Sequence, residues 1–134
     1  MIRRPLDPQF NAAVEAEIKT TTIREKPWPV GVPIMLYNWK GRPYGKGSTQ
    51  VDVRAVIVRE TTPIRLYQTR HGAMGYFYPG DPGNPGTRAL WETEGFPSKE
   101  AMYDWFRPHV KPTTTIEKHL MRFELFTPNQ TVKP

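Results

Sequence analysis

Phe10, Val14 and Ile18 recur at four-residue spacing, the single apolar stripe of a helix over Pro8–Ile18. Asp7 before Pro8 supplies an N-cap with proline at the first helical position. The helix gives way near Lys19, where three β-branched threonines begin a short strand, Thr20–Arg24. Val32–Trp39 reads as a second, mostly apolar strand. Val51, Val53, Ala55 and Ile57 alternate with Asp52 and Arg54 in the clearest strand, Val51–Glu60, and Pro63–Gln68 reads as another. Lys40–Gln50 and His71–Gly86 are predicted loops. In the second of these, Tyr76, Phe77 and Tyr78 are too apolar for a free linker, and packing on the domain is preferred to a protein contact. Ser98 caps a second helix with Met102, Trp105 and Phe106 inward, and Pro108 stops it. A last strand follows within Glu117–Phe126, with Met121, Phe123 and Leu125 on one face. No internal repeat is visible. Helix, strands, helix and strand in that order predict one α+β domain over residues 1–134, a curled sheet or barrel.

Composition narrows the class. The 134 residues include 15 prolines, which argue against long helices, and no cysteine, which excludes disulfides and thiolate metal sites. No apolar run approaches a membrane span, and no signal segment is visible, so the predicted location is cytoplasmic. The net charge is +6. Residues 1–70 hold 12 Lys and Arg against 6 Asp and Glu, whereas residues 71–134 hold 7 against 7. An excess confined to one half points to an anionic partner, with nucleic acid or a nucleotide foremost.

Strong motifs are absent: there is no P-loop, and His71, His109 and His119 show no ligand spacing, so no metal is expected. The weaker candidates are two. In strict alternation Thr20, Thr22 and Arg24 share one strand face, opposite Thr21 and Ile23, with Lys19 at the turn free to join either side. A lysine, a hydroxyl and a guanidinium would then converge. Arg24 would lower the Lys19 pKa toward that of a base. Glu92 and Glu94 would point to one side if their segment is extended, although a solvated loop is the commoner case.

The run from Phe10 through "IKTTTIR" into "PVGVPIMLYNW" resembles the start of the ASCH domain. That family carries a Lys-Thr-x-Thr-x-Arg strand after its first helix. "VDVRAVIV", "EGFPSKEAMYDWF" and "HLMRFELF" are similar to later family elements in the same order, so the likeness spans nearly the whole chain. It implies a PUA-like β-barrel of about five to six strands with two flanking helices. The branch nearest in size and layout consists of small amidohydrolases that deacetylate 4-N-acetylcytidine. The resemblance implies Lys19 as general base, Thr22 as nucleophile or water-orienting hydroxyl, and Glu94 as proton donor. Arg24 and Thr20 would bind substrate, with no cofactor and a monomeric chain. The family's glycine two places before the lysine is Glu17 here, and Val32 replaces a common aspartate. The segment Arg70–Trp91 and the loop Lys40–Gln50 are enlarged relative to those enzymes.

The alternative is an RNA-binding or RNA-cleaving module. "WKGRPYGKG" interleaves Trp39 and Tyr44 with Lys40, Arg42 and Lys46, a pattern that stacks bases while neutralising phosphates.

Overall fold

The structure is a computed structural model that describes residues 1–79 and 88–127. It is a mixed α+β fold around one six-stranded sheet. The strands are β1 (Ile2–Pro5), β2 (Thr21–Arg24), β3 (Pro33–Lys40), β4 (Thr49–Gln68), β5 (Met74–Phe77) and β6 (Thr114–Leu125). The helices are α1 (Asn11–Glu15), α2 (Leu90–Thr93) and α3 (Lys99–Phe106). Pairing runs β1-β3-β4-β6-β2, with β5 attached to β4.

β4 organises the sheet. Its first half, Thr49–Ile57, pairs antiparallel with β3, and its second half, Val56–Gln68, pairs antiparallel with β6. The sequence pattern suggests two strands here, Val51–Glu60 and Pro63–Gln68, the second beginning at the proline. Pro63 instead falls between the stretch paired with β3 and the stretch paired with β5, where its missing N–H costs no ladder bond on that flank. The exposed positions Pro63, Arg65 and Tyr67 alternate with buried Ile64, Leu66 and Gln68. Register shifts at Leu36/Tyr37 and Val58/Glu60 bend the sheet, as bulges do. The two path ends, β1 and β2, share no ladder with each other among the described residues. Ile34, Leu36, Val56, Val58, Ile64 and Met121 fill the core against Phe10, Val14, Phe96 and Met102.

The first helix is shorter than its apolar stripe predicts. Asp7 caps as expected, accepting from the Gln9 N–H at 3.1 Å, and a 3-10 turn (Pro8–Phe10) leads into α1. Glu17 then takes φ +57°, a left-handed residue that ends the helix. Phe10 and Val14 are buried, whereas Ile18, beyond that turn, is exposed. β1 and α2 are not legible from periodicity. β5 lies inside the predicted loop His71–Gly86. Its Gly75 lies against the Tyr67 ring, leaving no space for a Cβ. Tyr76 and Tyr78 pack on the core as predicted, while Phe77 is exposed. The rest of that loop, from residue 80 to residue 86, lies outside the described residues.

Candidate functional site

One cavity of about 470 Å³ opens where the two ends of the sheet approach each other. Lys19, Thr22, Ile23 and Arg24 come from β2 and the turn before it, and Glu94 and Phe96 from the segment after α2. Trp39 near the end of β3 and Gly41 and Pro43 in the loop after it form one wall, and Phe10, Trp105 and Phe106 the helical wall. The volume lies within the ordinary range for small-molecule sites.

Each polar side chain is held by a specific partner. The β-branched residues Thr21, Thr22 and Ile23 keep β2 extended, and the antiparallel register Thr22↔Met121 and Arg24↔His119 fixes their direction. Lys19 Nζ donates to the carbonyls of Thr21 and Glu94, both at 2.8 Å. It lies 4.0 Å from Glu94 Oε2 and 4.8 Å from the centre of the Phe10 ring. A neutral amine has two hydrogens, and these two carbonyls can hold both, leaving the lone pair for a proton. Glu94, 2% exposed, receives the Thr21 hydroxyl at 2.5 Å. Arg24 donates from Nε to Thr22 Oγ1 and from Nη2 to the Pro5 carbonyl, both at 3.0 Å, and stacks on Trp28 at 4.8 Å. That second bond joins β2 to β1 where no ladder does.

The electrostatics follow from burial. Removal from water pushes the Lys19 pKa below its usual 10.5; the Glu94 carboxylate opposes this and Arg24 reinforces it. Arg24 is lowered by burial in the same way, with Glu94 opposing and Arg4 reinforcing.

Gly95 sets the closeness of the site. It has φ +89°, and a Cβ there would lie 3.1 Å from both Lys19 Cβ and Phe10 Cδ1. Glycine therefore supplies both the left-handed turn and the room for Lys19 beside Glu94.

Of the predicted site residues, Lys19, Thr22, Arg24 and Glu94 meet in this cavity. Thr20 does not. β2 begins one residue later, and Thr20 instead lines a cavity of about 60 Å³ with Val14, Phe123 and Leu125. Glu92 and Glu94 form no carboxylate pair, because their segment is helical through Thr93 rather than extended. Trp39 lines the cavity and lies 4.9 Å from Tyr44, but Lys40, Arg42, Tyr44 and Lys46 lie outside its lining. Phe10, Thr21, Thr93, Gly95 and Trp105 belong to the site without having been singled out for it by the sequence pattern. Only Gly95, a glycine directly after a candidate acid, carries a signal that could have found it. Trp105, predicted to face the core, is 40% exposed because it faces the cavity mouth. Among the described residues no cluster of three His, Asp or Glu side chains could hold a metal ion, and no helix is long and apolar enough to cross a membrane.

No protein-family model, curated protein or solved structure matches the chain.

Proposed function

We propose that this protein is an amidohydrolase that removes an acyl group from the exocyclic amine of a modified nucleoside such as 4-N-acetylcytidine, built on an ASCH-like, PUA-like barrel. The observation that carries the reading is one cavity holding a buried lysine of lowered pKa, a carboxyl 4.0 Å away, a hydroxyl and a guanidinium. The curled sheet, its ends clasped by Arg24, supports the barrel reading.

In the proposed reaction, Lys19 Nζ takes a proton from water as the water oxygen attacks the acyl carbon. Arg24 donates its Nε–H to Thr22 Oγ1, so the threonine proton is free to point at the ligand. This favours Thr22 as the orienting hydroxyl over Thr22 as the nucleophile. Arg24 Nη1 bonds to nothing among the described residues and can face the developing oxyanion. Lys19 passes the proton taken from water to the Glu94 carboxylate across their 4.0 Å separation, and Glu94 hands it to the departing amine as the carbon–nitrogen bond breaks. The products are the free amine and a carboxylic acid.

Hydrolysis of 4-N-acetylcytidine, followed by ultraviolet absorbance, tests the reading. Lys19→Ala and Glu94→Gln should each lower kcat by about 10²- to 10⁴-fold with the fold retained. Wild-type-like turnover by folded Lys19→Ala would sink it.

A second reading, RNA binding, rests on the loop after β3. Lys40, Arg42 and Lys46 have no carboxylate partner among the described residues, whereas Arg3, Arg54, Arg59 and Arg65 each have one. Affinity for single-stranded RNA that falls steeply with salt, and falls again in the Lys40/Arg42/Lys46→Ala triple variant, would favour it.

A further inference from the structure

Thr21 lies on the strand face opposite Thr22 and is 8% exposed. Its hydroxyl is 2.5 Å from Glu94 Oε2 and 3.0 Å from Thr93 Oγ1, and the Thr93 hydroxyl donates to the Leu90 carbonyl at 3.1 Å. One hydroxyl proton cannot serve both of the Thr21 partners at once. The arrangement therefore has two complete states. With Glu94 as carboxylate, Thr21 donates to Oε2 and Thr93 donates to Leu90. With Glu94 as carboxylic acid, Oε2–H donates to Thr21 Oγ1, the Thr21 proton turns to Thr93 Oγ1, and Thr93 keeps its bond to Leu90. Every hydroxyl proton stays bonded in both states, and no proton leaves its residue except the one Glu94 gains or loses.

We propose that Thr21 and Thr93 form a reversible hydroxyl relay that holds the Glu94 carboxyl in place whether or not it carries a proton, making Thr21 a positioning residue for the proton-donating group. The idea rests on the reading of Glu94 as a group that changes protonation during turnover. A buried carboxyl that does so needs a neighbour able to accept in one state and donate in the other. A backbone N–H can only donate and a carbonyl can only accept, whereas a hydroxyl does both. Thr93 then has a role although it lines no part of the cavity. It accepts the proton that Thr21 turns away from Glu94, and its own donor is already fixed on the Leu90 carbonyl. The relay lies behind the carboxyl and away from the cavity space, so substrate binding does not depend on it.

Two measurements test the relay. The first follows hydrolysis of 4-N-acetylcytidine by Thr21→Val, Thr21→Ser and Thr93→Val, with kcat and KM determined separately. Thr21→Val should lower kcat by about 10²-fold, the loss that a misplaced reacting group brings, with KM unchanged. Thr21→Ser should restore most of it. Thr93→Val should also lower kcat, because it removes the acceptor needed when Glu94 is protonated. The second measurement needs no turnover. The carbon-13 carboxyl resonance of Glu94 in glutamate-labelled protein, assigned by its loss in Glu94→Gln, should move in Thr21→Val and return in Thr21→Ser. Wild-type kcat together with an unmoved Glu94 resonance in folded Thr21→Val would overturn the relay. If the wild type shows no turnover, the amidohydrolase reading fails, and the resonance alone decides whether the hydroxyls hold the carboxyl.

Discussion

Gly95→Ala is the sharpest probe of how the site is packed. Two costs add at this position. An L-residue in the left-handed region costs about 1–2 kcal/mol. The new methyl would also lie 3.1 Å from Lys19 Cβ, 3.1 Å from Phe10 Cδ1 and 3.3 Å from Lys19 Cδ. Carbon atoms prefer about 3.5–4.0 Å, and overpacking of this kind costs about 1–3 kcal/mol. The sum is about 2–5 kcal/mol. For 134 residues, an unfolding entropy of about 2.1 cal/mol/K per residue makes each kcal/mol worth about 3.5 °C, so Tm should fall by about 7–17 °C. Gly31→Ala is the control. Gly31 has φ +81°, and a Cβ added there would meet nothing within 4 Å, so only the strain applies and Tm should fall by about 4–7 °C. Differential scanning calorimetry of both variants separates strain from contact. Turnover measured below both transitions should fall in Gly95→Ala alone, because the contact displaces Lys19. Equal Tm losses and equal turnover in the two variants would refute the packing account.

Three further outcomes follow from the same geometry. The Lys19 pKa is lowered on folding, so between its folded value and 10.5 the unfolded chain binds more protons and stability rises with pH. Urea midpoints of wild type minus Lys19→Met, from neutral pH to 10.5, should therefore climb, and the rate should rise with pH through a lysine pKa below 10.5; a flat difference would exclude a depressed lysine. Glu17→Gly relieves a left-handed glutamate at an exposed helix end and should stabilise the fold by about 0.5–1 kcal/mol, read as a raised Tm. Arg24→Lys cannot reproduce the planar fork that reaches Pro5 and Thr22, and should lower both Tm and kcat, with about 1–2 kcal/mol lost to the missing bonds.

The parts of the site legible in the sequence are those governed by local rules. Strand alternation places Thr22 and Arg24 together, and the proposed resemblance to ASCH domains is what singles out Lys19 and Glu94. What the sequence hides depends on boundaries or on contacts across the chain. Alternation misplaces Thr20 because β2 starts one residue later, and the rule has no meaning before a strand begins. The Glu92–Glu94 pair fails because a single helical turn, Leu90–Thr93, is too short to show a period. β1 is invisible because two arginines and a proline in Ile2–Pro5 mask any apolar pattern, its pairing with β3 being set by tertiary packing. Phe10 beneath Lys19 and Gly95 against both are separated by long stretches of chain, and no periodicity encodes such a meeting. Glu17 lies between these cases. Glutamate in place of glycine predicts a steric cost or another turn, and the chain keeps the left-handed turn with glutamate in it.

The candidate residues are also the ties that hold this corner of the fold. Lys19 links the turn before β2 to the end of α2 through the Glu94 carbonyl, Thr21 binds Glu94 from the other face, and Arg24 spans the unpaired ends of the sheet. This coupling has a chemical consequence. In the proposed reaction Arg24 carries its charge throughout, whereas Lys19, whose cationic form burial disfavours, would gain charge as it takes a proton from water. In amide hydrolysis that is also the moment when negative charge develops on the acyl oxygen. In that reaction positive charge on Lys19 would therefore rise in step with the oxyanion and be lower in the ground state. An interaction that strengthens only toward the transition state lowers the barrier without merely tightening substrate binding. A lysine kept charged by exposure would bind an anion equally well before and after attack, so burial of Lys19 is what would suit this arrangement to the proposed catalysis.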